Sequence, residues 1–151
     1  MGGTHAILSP SSAHRWLACT PSARFEEQIP GGESTYAAEG TLAHELAALL
    51  LLEKRGEVIG TVNEDPFFDA MADIKGDTLY SKEMQEHCEG YADFVMELAD
   101  GNYVYIEQGY DMSKYIPLQL GTCDASFVND ENIWIIDFKY GAGISVSPTA
   151  N

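Results

Sequence analysis

Positive charge is scarce in this sequence. Its 151 residues include 8 Lys and Arg against 24 Asp and Glu, which gives a formal net charge of -16 at pH 7. The few cations are scattered, and no stretch of the chain forms a basic stripe. Because phosphate neutralisation supplies much of the affinity of most nucleic-acid-binding proteins, this charge excludes a broad electrostatic footprint on nucleic acid. Any phosphate chemistry must therefore rest on a local site.

Cysteine and long apolar runs are also sparse. The cysteines are odd in number and widely spaced, at Cys19, Cys88 and Cys123. This spacing is typical of free thiols in an intracellular protein. The longest apolar stretch, residues 42–52, falls short of the roughly 18 residues that a membrane span needs. The N-terminus has no basic start followed by an apolar run, so it does not resemble a signal peptide. We therefore expect a cytoplasmic protein with no membrane segment.

The apolar periodicity divides the chain into a helical part and a strand-rich part. The helix-start signal at residues 9–12 predicts a helix over residues 13–17. Apolar residues at three- and four-residue steps predict two further helices, over residues 35–54 and 81–99. The first of these helices is expected to place Trp16 and Leu17 in a core, and residues 60–76 to form an irregular, acidic connection. β-Branched and aromatic runs predict strands at residues 103–106, 118–128, 133–139 and 144–146.

This order of elements predicts the α+β class. The N-terminal helices would pack on a small mixed, largely antiparallel sheet. A chain of 151 residues is the length of one domain. We therefore predict a single domain over residues 1–151, with a helical part at about 9–100 and a sheet core at about 102–147.

The strongest candidate site lies where the strand 133–139 ends. Side chains alternate along a strand, so Asp137 and Lys139 share one face. If the turn at 129–132 pairs this strand with the preceding one, Asp124 faces the same space as Asp137. Two close carboxylates repel each other unless a cation sits between them, and hard oxygen ligands suit Mg²⁺ or Mn²⁺. Lys139 would then hold the attacking hydroxide or stabilise the developing charge.

These residues, and His44 of the second predicted helix as a further candidate metal ligand, also have simpler interpretations. Asp-x-Lys occurs often by chance and is more typical of a solvated strand end, although this strand is apolar enough to be buried on both faces. A lone helix histidine such as His44 is more often a packed or surface residue. The small neighbours of His44, however, leave the imidazole room to reach an ion: Gly40, Thr41, Ala47 and Ala48. A nitrogen ligand would favour Mn²⁺ over Mg²⁺.

Several short motifs, in order, resemble those of a known nuclease group. Gly121-Thr122-Cys123-Asp124 followed by Ile135-Ile136-Asp137-Phe138-Lys139-Tyr140-Gly141 resembles the core signature of the RecB-like PD-(D/E)XK nucleases. The run Gly40-Thr41-Leu42-Ala43-His44 resembles their upstream helix motif, and residues 9–19 resemble the start of phage-encoded members. The resemblance spans about residues 8–147.

The resemblance implies a restriction-endonuclease-like core and a metal-dependent deoxyribonuclease of the phage recombination and repair type. An exonuclease is favoured over an endonuclease. Asp124 and Asp137 would bind Mg²⁺ or Mn²⁺, the Phe138 backbone carbonyl and His44 would complete the ligand set, and Lys139 would assist the nucleophile. Glu107 matches an acid common just before the core and is a candidate accessory residue. DNA is the implied partner.

Two features of the group are not matched. Its core strand is followed by a helix carrying Gln-x-x-x-Tyr, but this chain stops at Asn151, where that helix should begin. The core is thus expected to be C-terminally incomplete, with a second copy or a protein partner supplying the missing cover.

Some members hold an iron–sulfur cluster through one N-terminal and three C-terminal cysteines. Only Cys19 matches, so no cluster is predicted, and Cys19 and Cys123 are interpreted as small buried hydrophobes.

Two other functions stay open on the sequence. A catalytically incomplete protein of the same fold would bind a metal or a protein partner without cleaving DNA. An acidic mimic of DNA would inhibit a host DNA-binding protein through its net charge of -16. Loss of cleavage in a Lys139→Ala variant would support the nuclease, whereas a mimic would tolerate Asp137→Asn.

Overall fold

The computed structural model describes residues 8, 12–26, 28, 35–56, 66–116 and 120–141. Within these residues lie helices α1 (Ala13–Ala18), α2 (Ser22–Glu26), α3 (Thr35–Lys54), α4 (Pro66–Gly76) and α5 (Lys82–Ala99). They are followed by strands β1 (Tyr105–Asp111), β2 (Leu120–Val128) and β3 (Ile133–Ile136) in a sheet of order β1-β2-β3. The predicted α+β class is confirmed.

The described residues form two compact units. The main unit spans Glu33–Gln108 and Cys123–Gly143, and the smaller unit includes the described parts of Met1–Gly32 and Gly109–Thr122. All the candidate site residues belong to the main unit. None of the described helices combines the length and the apolar character that a bilayer crossing requires.

The core of the main unit lies between α3 and α5. Both helices bury an apolar face there: Leu42, Ala43, Leu46, Ala47, Leu50 and Leu51 from α3, and Met84, Cys88, Ala92, Val95 and Ala99 from α5. The Cys88 thiol donates a hydrogen bond to the Ala43 carbonyl at 3.4 Å. Burying one large apolar side chain such as Leu46 contributes about 1.5–3 kcal/mol. This packing holds rigid the turn of α3 that carries His44.

The helix boundaries follow local signals in the sequence. The helix α3 has the predicted bounds, and Gly56 follows it with a φ of 80°, a left-handed conformation that glycine adopts without strain. The helix α5 begins at an N-cap, because the Ser81 hydroxyl accepts a hydrogen bond from the Met84 N–H at 3.0 Å. Both of these helix predictions are confirmed.

The strands β2 and β3 form the predicted antiparallel hairpin. Ala125 pairs with Ile136 and Phe127 with Trp134, whose rings stack with centroids 5.8 Å apart. The Asn129 N–H donates to the Asn132 carbonyl at 3.0 Å and closes the turn. The strand β3 nevertheless ends at Ile136, so the residues after it are positioned by contacts other than the sheet ladder.

Three expectations about burial and helix content are wrong. Residues 66–76 form α4, which begins with Pro66, a residue suited to the first helical turn, and buries Ile74. The short α1 forms as predicted but buries no residue, and Leu17 is exposed. The strand β3 is not buried on both faces, because Ile133 and Ile135 are 74% and 67% exposed.

Two further predictions concern the cysteines and the last strand. Cys19 is exposed rather than buried, since it follows a helix that contributes nothing to the core. Cys123 is partly buried. The strand predicted at 144–146 lies outside the described residues.

Candidate metal centre

Three elements of the main unit bring a histidine and two carboxylates together. His44 comes from α3, Glu107 from β1 and Asp124 from β2, and one potential ligand atom of each lies within 4.8 Å of the other two. Ligands at about 2.0–2.2 Å from one divalent ion are at most about 4.4 Å apart, so small side-chain rotations would suffice. The donor set therefore fits a divalent ion.

His44 and Asp124 form the closest part of this cluster. His44 Nδ1 lies 3.5 Å from Asp124 Oδ1. The hydrogen bond with Asp124 raises the pKa of His44, although burial opposes the shift. Burial alone would raise the pKa of Asp124, but hydrogen bonds from His44 and from the Phe138 N–H outweigh it and lower that pKa. Asp124 is thus kept ionised although it is partly buried, and a carboxylate must be ionised to bind a metal ion.

The segment that follows β3 fixes the Asp124 carboxylate. The Phe138 N–H donates a hydrogen bond to Asp124 Oδ2 at 2.6 Å. The Phe138 ring is buried, and its centroid lies 5.5 Å from that of His44 in an edge-on contact. One residue therefore orients both the aspartate and the histidine. The role predicted for the Phe138 carbonyl stays a prediction.

Glu107 reaches the cluster from an unusual backbone conformation. Its φ of 46° lies in the left-handed region, which costs a residue with a Cβ about 1–2 kcal/mol. Burial, and then the charge of Asp124, raise the pKa of Glu107. A strained backbone and crowded carboxylates are both typical of functional sites, where a cation relieves the repulsion. The accessory residue of the sequence prediction is thus a full member of the cluster.

Asp137 and Lys139 lie apart from this cluster. Lys139 Nζ is 2.8 Å from Asp137 Oδ2, and the Asp137 side chain is 62% exposed, against 16% for Asp124. Among the described residues, the group with converging ligand atoms does not include Asp137. The positive charge of Lys139 nevertheless acts on the cluster. It opposes the rise in the pKa of His44 and adds to the fall in the pKa of Asp124. The predicted roles of Asp137 and Lys139 stay predictions.

One cavity adjoins the cluster, and a second is bordered by Phe138 and Lys139. One, of about 600 Å³, is bordered by residues of α3 and α4 together with Glu107, and includes His44, Glu45 and Asp73. The other, of about 390 Å³, is bordered by Phe138, Lys139, Tyr140, Gly141, Glu39, Glu83 and His87. Three acids, Glu45, Asp73 and Glu107, border the first cavity and repel an anionic ligand unless a cation is bound between them. The second cavity is bordered by the exposed side chain of Lys139.

Residues 5–151 match a family model whose description is "Protein of unknown function (DUF2800)". This description assigns no activity. No solved structure matches the chain. Because the match covers nearly the whole sequence, the chain belongs to the DUF2800 family.

Proposed function

We propose that this protein is a metal-dependent deoxyribonuclease of the PD-(D/E)XK type. The observation that supports the proposal most is the convergence of His44, Glu107 and Asp124 within 4.8 Å. These residues come from three different elements, and each of them matches a position of the nuclease resemblance. In line with the resemblance, the proposal extends to an exonuclease of phage recombination and repair that uses Mg²⁺ or Mn²⁺.

In this proposal the ion is held by His44, Glu107 and Asp124. A bound divalent ion lowers the pKa of a water ligand and polarises a phosphoryl oxygen. The Phe138 N–H keeps Asp124 oriented, since it donates to the oxygen that does not face His44. Asp137 is the further ligand that the resemblance implies. Its carboxylate would have to leave the Lys139 ammonium group before it could bind the ion.

Lys139 would supply the positive charge beside the reacting phosphate. Its ammonium group is exposed at the border of the 390 Å³ cavity. Release from Asp137 would leave it free to hold the attacking water or to stabilise charge on the phosphate oxygens. Its surroundings are acidic, with Glu39 and Glu83 at the same cavity. We therefore expect DNA binding to require the divalent ion.

The proposal is tested by a cleavage assay on linear and circular duplex DNA with Mn²⁺ or Mg²⁺. The wild-type protein should degrade linear DNA, spare circles as an exonuclease does, and lose activity in EDTA. Lys139→Ala should abolish cleavage. Lys82→Ala is the matched control, because Lys82 is an exposed lysine of the same unit that pairs with Glu86 one helical turn away. Cleavage unaffected by Lys139→Ala would refute the assigned role.

A second candidate is a metal-binding module that does not cleave DNA. It is favoured by the exposed ion pair between Asp137 and Lys139, which keeps both residues away from the converging ligands. This candidate predicts Mn²⁺ binding that depends on Asp124 with no cleavage of any DNA substrate. Calorimetric titration of Mn²⁺ beside the cleavage assay separates the two functions.

A further inference from the structure

Tyr91 packs against Phe138, which contacts the candidate metal centre. It belongs to α5, and its ring centroid is 4.5 Å from that of Phe138. Phe138 in turn contacts the His44 ring and donates its N–H to Asp124. Tyr91 therefore contacts the residue that orients two of the proposed ligands.

The Tyr91 hydroxyl is not explained by packing. Its oxygen is buried and has no hydrogen-bond partner in the part of the chain that the structure describes. Buried hydroxyl groups without a partner are uncommon, because they give up hydrogen bonds to water and receive nothing in return. Phenylalanine would fill the same apolar space without this cost. The hydroxyl thus points to a partner that the protein acquires.

The surroundings of the hydroxyl indicate what kind of partner this is. Burial raises the pKa of Tyr91, and the charges of Asp124, Glu107 and Asp137 raise it further. A tyrosine hydroxyl carries its proton at neutral pH, so it is able to donate a hydrogen bond. The charges that act on it belong to the carboxylates of the candidate site.

We infer that Tyr91 is a positioning residue of the metal centre, whose hydroxyl donates a hydrogen bond to an oxygen atom held by the bound ion. This inference rests on the proposed function, since the oxygen belongs to a ligand of that ion. Partners of this kind orient metal ligands, and their loss typically costs about 10–100-fold in metal affinity. Tyr91 differs from the ligands in that removing its hydroxyl leaves the ligand set intact.

The test is calorimetric titration with Mn²⁺ of the wild type, Tyr91→Phe and Tyr36→Phe. Tyr36 is the matched control, because it is an exposed tyrosine of α3. Tyr91→Phe should raise the Kd for Mn²⁺ about tenfold. In EDTA its Tm should be equal to or above that of the wild type, since the lost hydroxyl has no partner among the described residues. Tyr36→Phe should change neither quantity.

The outcomes separate this inference from the proposal on which it rests. A Tyr91→Phe protein that binds Mn²⁺ as tightly as the wild type overturns the inference and leaves the metal site standing. A Tm in EDTA that falls below the wild-type value also overturns it, because the hydroxyl would then serve the fold of the metal-free protein. A wild-type protein that binds no Mn²⁺ overturns the proposed function, and the inference fails with it.

Discussion

Asp124 lies on β2 and Asp137 directly follows β3 of the same hairpin, yet their surroundings differ. Asp124 is largely buried and is oriented by the Phe138 N–H and by His44. Asp137 follows the last paired residue of β3 and lies in solvent with Lys139. A carboxylate that is desolvated and held by donors is prepared to bind an ion, whereas one in an exposed ion pair is not. The hairpin thus carries one prepared acid and one that must rearrange.

The largest effect is expected from Asp124→Asn. The change keeps the size of the side chain but removes the charge that faces His44. We expect the Mn²⁺ affinity to fall about 100-fold or more, which is about 2.7 kcal/mol of binding free energy. Calorimetric titration measures this loss. Asp93→Asn is the control, since Asp93 is an exposed acid of α5 paired with Lys54. Wild-type affinity in Asp124→Asn would remove the basis of the comparison.

Asp137→Asn should have a smaller effect on binding. Asp137 must leave Lys139 before it can reach an ion. We therefore expect Asp137→Asn to weaken Mn²⁺ binding by only about tenfold, as when a residue that hydrogen-bonds to a metal ligand is removed. The free energy of unfolding in urea should change by less than about 0.5 kcal/mol, since exposed ion pairs contribute little. A loss as large as that of Asp124→Asn would show that the two acids are equivalent once the ion is present.

Glu107→Gly separates metal binding from stability. Glycine adopts the left-handed conformation at this position without strain, so the metal-free protein should gain up to about 1 kcal/mol in unfolding free energy. Mn²⁺ binding should weaken at the same time, because a carboxylate is lost. Glu107→Gln is the control, as it removes the charge and keeps the backbone strain. A less stable glycine variant would show that the φ of 46° does not strain the chain.

The smallest effect concerns pH. The pKa of His44 is raised above its ordinary value of 6.5, so the stability contributed by its pairing with Asp124 is fully present below pH 6.5 and is lost as the pH rises through the folded pKa. In EDTA the loss should be at most about 1 kcal/mol, because the pair is partly exposed. Urea unfolding from pH 6 to 9 measures it, and His44→Gln should abolish this dependence. Mn²⁺ should bind more tightly over the same range, since it competes with the proton.

The sequence predicted those parts of the fold that have strong local signals. The periodicity of residues 35–54 gave the bounds of α3, and the polar turn at 129–132 gave the β2–β3 hairpin. Residues 66–76 were not predicted as a helix, because so short a segment depends on packing, here through Ile74, more than on its own propensity. The exposure of Ile135 was missed for a related reason, since a strand's apolar content does not reveal whether both faces are covered.

The candidate site was predicted in part. His44 and Asp124 were expected to converge, and they do. Glu107 was assigned only an accessory role, and no sequence signal revealed the left-handed backbone that accompanies its place in the cluster. Tyr91 was not predicted as a site residue. Its unpartnered hydroxyl is visible only once the neighbouring side chains have been placed.

The sequence by itself determined the helical and strand segments with strong periodicity, the acidic character of the chain and the residues able to bind a metal. These properties depend on neighbours within a few positions, which set backbone torsions and the alternation of faces. Only the tertiary structure decided that Glu107 rather than Asp137 stands with His44 and Asp124. That choice depends on where β3 stops pairing and on how α3 packs, and such distances arise from contacts between residues far apart in the chain.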